Sequence, residues 1–192
     1  GYSTGGALVQ GRQGLSGAGT QTAGLGVGGY HPPAPGVKSL VEEYDGSTWS
    51  EVNDIPTATF AMGSAGTQTA AVVTGGRTPS WVASTYEYDG TTWTGGGALG
   101  TARTLRGAMT GTLTAALAVG GDLNPPGGAT NKVEEYNGTA WTEVNSYPTN
   151  INVNMVSGIQ TSALSFGGAP YTTNAFTYDG TNFTATASMG SS

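Results

Sequence analysis

The chain has 192 residues, a net charge of −6, six basic residues, one histidine and no cysteine. The basic residues are too few and too scattered for a nucleic-acid-binding surface, and no apolar run is long enough to cross a membrane. Without cysteine there are no disulfides, thiolate metal sites or cysteine nucleophiles. Glycine is abundant, with 34 residues, but it recurs at fixed points of a repeat instead of in disordered runs.

The beginning of the chain matches a segment found later in it. Residues 2–8 with Arg12 correspond to residues 93–99 with Arg103. We therefore expect residues 1–11 to be a strand left over from a preceding repeat. The chain is then either a processed form or one part of a longer polypeptide.

The first repeat unit, at about residues 12–53, sets the order that the others follow. A polar start at 19–22 leads into a short apolar run that ends at a double glycine, and a tyrosine, a turn and a tryptophan come later. Short strands punctuated by glycine turns are typical of all-β proteins. We predict four strands: a before the polar start, b into the double glycine, c up to the tyrosine, and d from the tryptophan.

Three further units follow, at about residues 57–97, 101–145 and 150–187, and successive tyrosines are 42 to 48 residues apart. This period is typical of four-stranded propeller blades. The recurring residues are the double glycines Gly28-Gly29, Gly75-Gly76, Gly120-Gly121 and Gly167-Gly168, the tyrosines Tyr44, Tyr88, Tyr136 and Tyr178, and the aromatics Trp49, Trp93, Trp141 and Phe183.

Local chemistry supports the strand assignment. The Asp-Gly or Asn-Gly after each tyrosine predicts a type I′ hairpin turn between c and d, because both central residues of that turn need positive φ. The aromatics at the two ends of the turn can pair across the hairpin or pack against the next unit. The double glycine indicates a close approach of two backbones or a bulge. In the third unit we assign strand a to residues 105–109.

The order of double glycine, tyrosine and tryptophan resembles the kelch repeat over nearly the whole chain. The sequence departs from the kelch pattern at Phe183 and near Thr59 and Asn150, where an arginine such as Arg12 or Arg103 is absent. The resemblance implies an all-β fold of kelch-type β-propeller blades. The leftover first strand argues against a simply closed ring of four, so we expect a larger ring or one completed by other copies.

The composition and sequence of the repeats are also similar to those of kelch-like proteins of tailed bacteriophages, marine ones especially. That resemblance implies a virion or tail-appendage protein. Galactose oxidase carries a kelch-type propeller too, but its copper site needs two histidines and a tyrosine crosslinked to cysteine. One histidine and no cysteine exclude that chemistry here.

Length variation is concentrated between strands b and c. From the second glycine to the next tyrosine there are 15, 12, 15 and 10 residues, whereas each tyrosine lies 31 or 32 residues before the next double glycine. Insertions on one face of a repeat protein often mark its binding face. The candidate ligand-binding residues in these loops are Tyr30, His31, Arg77, Trp81, Asp122, Asn124 and Tyr171.

Four of these candidates have a structural alternative. His31 either contacts a ligand or packs within its proline-flanked loop, and Trp81 either stacks on a sugar or a protein partner or caps the core before strand c. Asp122 and Asn124 faintly resemble a calcium loop but lack the later glutamate, so a turn is the simpler interpretation. The repeated glutamates such as Glu42 indicate solvated strand faces, or partners for a nearby arginine or backbone, and not a catalytic pair.

These observations predict a protein that is not an enzyme and needs no cofactor or metal. We expect a binding or structural module of an extracellular assembly, at a virion surface, that contacts a host surface glycan or protein and other subunits. Neither nucleic acid nor membrane insertion is expected, and a homo-oligomer fits the repeat pattern. The alternatives are a purely structural virion building block and a secreted bacterial adhesin or lectin.

Overall fold

A computed structural model describes residues 5–33, 36–125 and 127–190. In these ranges all regular secondary structure is β-strand, which confirms the all-β prediction. The same ranges hold no helix of the length and apolar character needed to cross a membrane.

The described residues contain four antiparallel sheets of four strands, each a meander. Sheet 1 comprises β1 (Ser16–Thr20), β2 (Ala23–Val27), β3 (Val41–Tyr44) and β4 (Trp49–Val52), and sheet 2 comprises β5 (Gly63–Thr67), β6 (Ala70–Thr74), β7 (Thr85–Tyr88) and β8 (Trp93–Gly96). Sheet 3 comprises β10 (Met109–Thr112), β11 (Ala115–Val119), β14 (Val133–Tyr136) and β15 (Trp141–Glu143), and sheet 4 comprises β16 (Met155–Ile159), β17 (Ser162–Phe166), β18 (Ala175–Tyr178) and β19 (Phe183–Thr186). A small three-stranded sheet joins β9 (Arg103–Thr104), β12 (Asp122–Leu123) and β13 (Gly128–Ala129).

The four sheets stack face to face through their first strands, since β1 contacts β5, β5 contacts β10, and β10 contacts β16. Each interface buries apolar side chains from both sheets. Between sheets 3 and 4, for example, Leu117 and Val119 pack with Val156 and Ala163. No extended contact joins sheet 4 back to sheet 1 in the described residues, so they form an open array instead of a closed ring.

The tyrosine and the aromatic residue after the turn face each other at the outer edge of every sheet. The ring centroids of Tyr88 and Trp93 are 4.6 Å apart. The other pairs are Tyr44–Trp49 at 5.1 Å, Tyr136–Trp141 at 4.9 Å and Tyr178–Phe183 at 4.6 Å. These contacts fix the c–d hairpins, as expected for aromatic residues directly opposite each other in a ladder.

The prediction of two-residue type I′ turns is wrong. Tyr44 pairs with Trp49, which leaves four residues in the loop, and only Gly46 has positive φ, at 96°. The Asp45 carboxylate accepts hydrogen bonds of 2.8 Å from the N–H groups of Ser47 and Thr48. These bonds, that of Thr48 first, lower the pKa of Asp45. Asp89, Asn137 and Asp179 accept the same pair of bonds in the other sheets.

Two strand predictions also change. β10 begins at Met109 and not at residue 105, because Leu105–Ala108 form a tight turn with positive φ at Arg106 and Gly107. Residues 5–11 form no strand. In the alignment with 93–99, the residues that match β8 are 2–5, and residues 2–4 lie outside the described part of the chain.

Residues 5–12 nevertheless pack on sheet 1 in the same way that residues 96–103 pack on sheet 3. A Cβ added to Gly5 would meet the Tyr44 hydroxyl, and one added to Gly96 would meet the Tyr136 hydroxyl. The sequence match between the two segments is therefore also a match in three dimensions.

Candidate functional site: the loop face

The strands of each meander alternate in direction, so the connections fall on two opposite faces of the array. The turn face holds the a–b and c–d turns. The loop face holds the b–c loops and the connections between successive sheets. The turn face repeats the same carboxylate-capped loop, so its four members present nearly the same chemistry.

On the loop face, one backbone position carries a different side chain in each unit. The residue after each double glycine forms a β-bridge or short ladder with the connection that enters the same sheet. These residues are Tyr30 opposite Gln13, Arg77 opposite Phe60, Asp122 opposite Thr104, and Ala169 opposite Asn152. A constant backbone thus displays an aromatic, a cation, an anion and a small residue side by side.

A concave site, the inner recess, lies on this face where the connections enter the first strands of the sheets. It has a volume of about 360 Å³ and is lined by Gln13, Gly14, Leu15, Phe60, Ala61 and Arg106. The Ala61 N–H donates 2.8 Å to Gly14 O, and the Leu105 N–H donates 3.0 Å to Ala61 O, so successive connections are tied together. The rim is therefore built from backbone that links one sheet to the next.

The residues of the inner recess combine three kinds of recognition group. Phe60 offers a ring, which lies 5.8 Å from the ring of Tyr30. Arg106 is exposed and offers a planar guanidinium, and Gln13 offers an amide. Aromatic rings stack on sugar rings, and guanidinium groups bind carboxylates in a bidentate manner. The recess is thus suited to a polar ring-shaped ligand.

Trp81 and Arg77 form a stacked pair beside the recess. The guanidinium carbon of Arg77 lies 4.4 Å from the centroid of a Trp81 ring, which is cation–π geometry. Trp81 is half-buried, and it belongs to none of the three described core clusters. Its Nε1 is buried without a hydrogen-bond partner in the described residues. Trp81 thus packs against Arg77, and its contact with a ligand stays a prediction.

Tyr171 stands apart from the inner recess. It is the most exposed large apolar residue of those described, at 106%. It borders a groove of about 300 Å³ whose floor includes Tyr147, Ile151 and Phe176. This side chain is free to contact a ligand, but it belongs to a second patch on the loop face.

Of the remaining candidates, His31 and Asp122 are hydrogen-bonded to neighbouring segments of the chain. His31 Nδ1 lies 2.5 Å from Gly11 O, and the His31 N–H donates to Gly36 O at 2.7 Å. Asp122 Oδ1 accepts 3.4 Å from Asn152 Nδ2, whereas Asn124 is exposed. In the part of the chain that the structure describes, no three His, Cys, Asp or Glu side chains converge on a metal position.

The repeated glutamates have structural partners. Glu42 and Glu134 are buried, and their carboxylates form ion pairs with Arg12 and Arg103. Arg103 Nε also donates 2.8 Å to Gly120 O, which fixes the guanidinium against the double glycine. Of the two structural alternatives, Glu42 and Glu134 therefore match the arginine partners and not the solvated strand faces.

The sequence interpretation missed Gln13, Phe60 and Arg106 because it considered only the b–c loops. The connections from one sheet to the next emerge on the same face. Their residues just before strand a also differ from unit to unit, and this was the available signal. The chain matches no family model, and no curated protein is significantly similar to it.

Proposed function

We propose that the protein is a non-enzymatic binding module of an extracellular assembly, such as a phage tail appendage, that contacts a host surface through its loop face. The observation that supports this most is the contrast between the two faces. The turn face repeats one chemistry four times, whereas the loop face displays Tyr30, Arg77, Asp122 and Ala169 at one equivalent backbone position. A purely packing role would not require that diversity.

The proposed ligand is a surface glycan bound at the inner recess, with Tyr171 as a secondary contact. Phe60 supplies a ring for stacking, and Arg106 and Gln13 supply donors to sugar oxygens. Binding on such a shallow site is weak for one copy. An assembly that displays many copies would strengthen it through multivalency.

Glycan-array binding tests the proposal. Arg106 has a φ of +46°, which glycine adopts readily, so Arg106→Gly should leave the fold intact. Because the change removes the guanidinium, it should abolish binding. Tyr171→Ala should weaken binding. Thr181→Ala, an exposed change on the turn face, is the matched control and should bind as the unaltered protein does.

Loss of binding by Thr181→Ala but not by Arg106→Gly would contradict the assignment to the loop face. If imaging of the assembled particle found the loop face buried against another subunit, the protein would instead be a structural building block. If no particle carried the protein and a secreted form bound glycans, a bacterial adhesin or lectin would be the better description.

A further inference from the structure

The outward face of sheet 4, which we call the open face, exposes apolar side chains that no other described sheet covers. Leu164 is 38% exposed and Met189 is 41% exposed. Together with Phe166 and Ala175 they line a shallow groove of about 370 Å³. Apolar groups clustered in this way mark an interaction site more often than a free surface.

Sheet 2 shows what covers the same face elsewhere in the array. Leu164 corresponds to Val72, which is fully buried beneath Met109 and Ala116 of sheet 3. The open face of sheet 4 is therefore of the kind that normally receives the next sheet.

The segment after the last strand agrees with this correspondence. Met189 matches Leu99, which is only 4% exposed because sheet 3 follows it. The Met189 N–H donates 2.8 Å to Thr173 O, just as the Leu99 N–H donates 2.9 Å to Ala83 O.

The sheets alternate between two types. The buried arginine–glutamate pair occurs in sheets 1 and 3, whereas sheets 2 and 4 carry Tyr86 and Phe176 at the glutamate position. Sheet 2, of the second type, is followed by sheet 3, of the first type. By analogy, the partner for sheet 4 is a sheet of the first type. Sheet 1 is of this type, and the face that it turns away from sheet 2 has no other sheet against it among the described residues.

Side-chain sizes on the two end faces are complementary. In the interface between sheets 2 and 3, Met109 projects towards Gly63, and a Cβ at Gly63 would lie 3.0 Å from the Met109 Cβ. On the two uncovered faces, the open face of sheet 4 and the face of sheet 1 that points away from sheet 2, the large and the small residue change places. Sheet 4 has Met155 at the position of Gly63, and sheet 1 has Gly17 at the position of Met109. If the two faces were brought together, the larger residue of one would lie opposite the smaller residue of the other.

A hydrogen-bond donor is also in place. Gln68 Nε2 of sheet 2 donates to Gly24 O at 3.0 Å and to Tyr44 O at 2.8 Å in sheet 1. Gln160 of sheet 4 donates in the same way to two carbonyls of sheet 3. Gln21 occupies the equivalent position on sheet 1, where it is exposed.

We propose that the open face of sheet 4 binds sheet 1 of a second copy of this chain, head to tail. In the complex Leu164 packs against Gly17 of the second copy, and Gln21 of the second copy donates to Ala163 O and Tyr178 O. A head-to-tail interface closes into a ring if its rotation permits and otherwise extends into a filament.

One terminal arm has to move for this contact to form. Residues 5–8 on sheet 1 and residues 186–189 on sheet 4 both match residues 96–99, so the two segments compete for one place at the interface. The first arm is held firmly, because the Val9 N–H donates 2.7 Å to Glu42 Oε2 and Arg12 is buried beside it. Residues 187–189, which follow β19, are therefore the ones that leave, and Leu8 of the second copy replaces Met189.

Analytical ultracentrifugation over a range of concentrations tests the proposal. The unaltered protein should sediment as multiples of 19.2 kDa, and Leu164→Glu should sediment as a single copy. Ile159→Glu is the matched control, because Ile159 is 56% exposed and corresponds to Thr67, which stays exposed when sheet 3 covers sheet 2. Deletion of residues 187–192 should tighten the association.

The second surface is tested with Gly17→Lys, since a Cβ at Gly17 makes only an ordinary contact of 3.5 Å with Leu25 O. This variant should be a single copy. Mixing it with Leu164→Glu should restore a complex of two copies, because the unaltered open face of Gly17→Lys meets the unaltered sheet 1 of Leu164→Glu. Circular dichroism checks that each variant is folded. The proposal is overturned by a single-copy unaltered protein at all concentrations, by an associating Leu164→Glu, by a Gly17→Lys without effect, or by weaker association after the deletion.

Discussion

The hydroxyl of Tyr88 in sheet 2 donates a hydrogen bond of 2.9 Å to Glu43 Oε1 in sheet 1. Tyr178 donates in the same way to Glu135 across the next but one interface, at 2.9 Å, and Tyr136 donates to Glu87 between them. Each link joins a buried phenol to a carboxylate of the preceding sheet. The recurring tyrosine therefore fastens neighbouring sheets together, besides stacking on the aromatic of its own hairpin.

Tyr88→Phe removes this link and keeps the ring. We expect the free energy of unfolding to fall by about 1.5 to 3 kcal/mol, as for other hydrogen bonds to a charged group. Urea unfolding measures the change. Tyr171→Phe is the matched control, because Tyr171 is fully exposed and should show no change. Equal effects at both positions would contradict the role of the phenol–carboxylate link.

Stability should decline in alkaline solution. Burial first, and then the hydrogen bonds to the glutamates, raise the pKa values of Tyr88, Tyr136 and Tyr178 above the ordinary value. Because the folded pKa exceeds that of the unfolded chain, the stabilisation is complete below about pH 10 and is lost as the pH rises further. Urea midpoints at about pH 8.5 and about pH 11 should differ, and Tyr88→Phe should reduce the difference. A difference that Tyr88→Phe leaves unchanged would contradict this cause.

The buried ion pair of sheet 3 should matter far more than an exposed one. Glu134→Gln leaves the Arg103 charge buried without its partner, and we expect a loss of about 3 to 5 kcal/mol. Glu143→Gln breaks the exposed pair with Lys132, and the expected change is at most about 1 kcal/mol. Thermal or urea unfolding of the two variants gives the comparison. Losses of similar size would contradict the burial argument.

The sequence alone could predict the strands but not all of the site. Glycine positions such as Gly75 and the aromatic order fix where strands end, because few other residues tolerate the required backbone, and this is why the all-β pattern was predictable. The turn type at Asp45 was not, because a carboxylate that accepts two N–H groups stabilises a longer loop than the Asp-Gly pair alone suggests. The inner recess was missed because Phe60 and Arg106 come from different connections, and only the stacking of sheets brings them together.

Gly75 gives the last prediction. Its φ is +64°, and a Cβ there would lie 2.5 Å from Arg103 O, which is backbone that cannot give way easily. Gly75→Ala should therefore lower the free energy of unfolding by more than the roughly 1 to 2 kcal/mol of a left-handed backbone alone. Gly95→Ala is the matched control: nothing lies within 4 Å of its added Cβ, so it should be neutral or stabilise by up to about 1 kcal/mol. Urea unfolding of both variants measures the effect, and a Gly75→Ala protein as stable as Gly95→Ala would show that the double glycine is not required for this close approach between sheets.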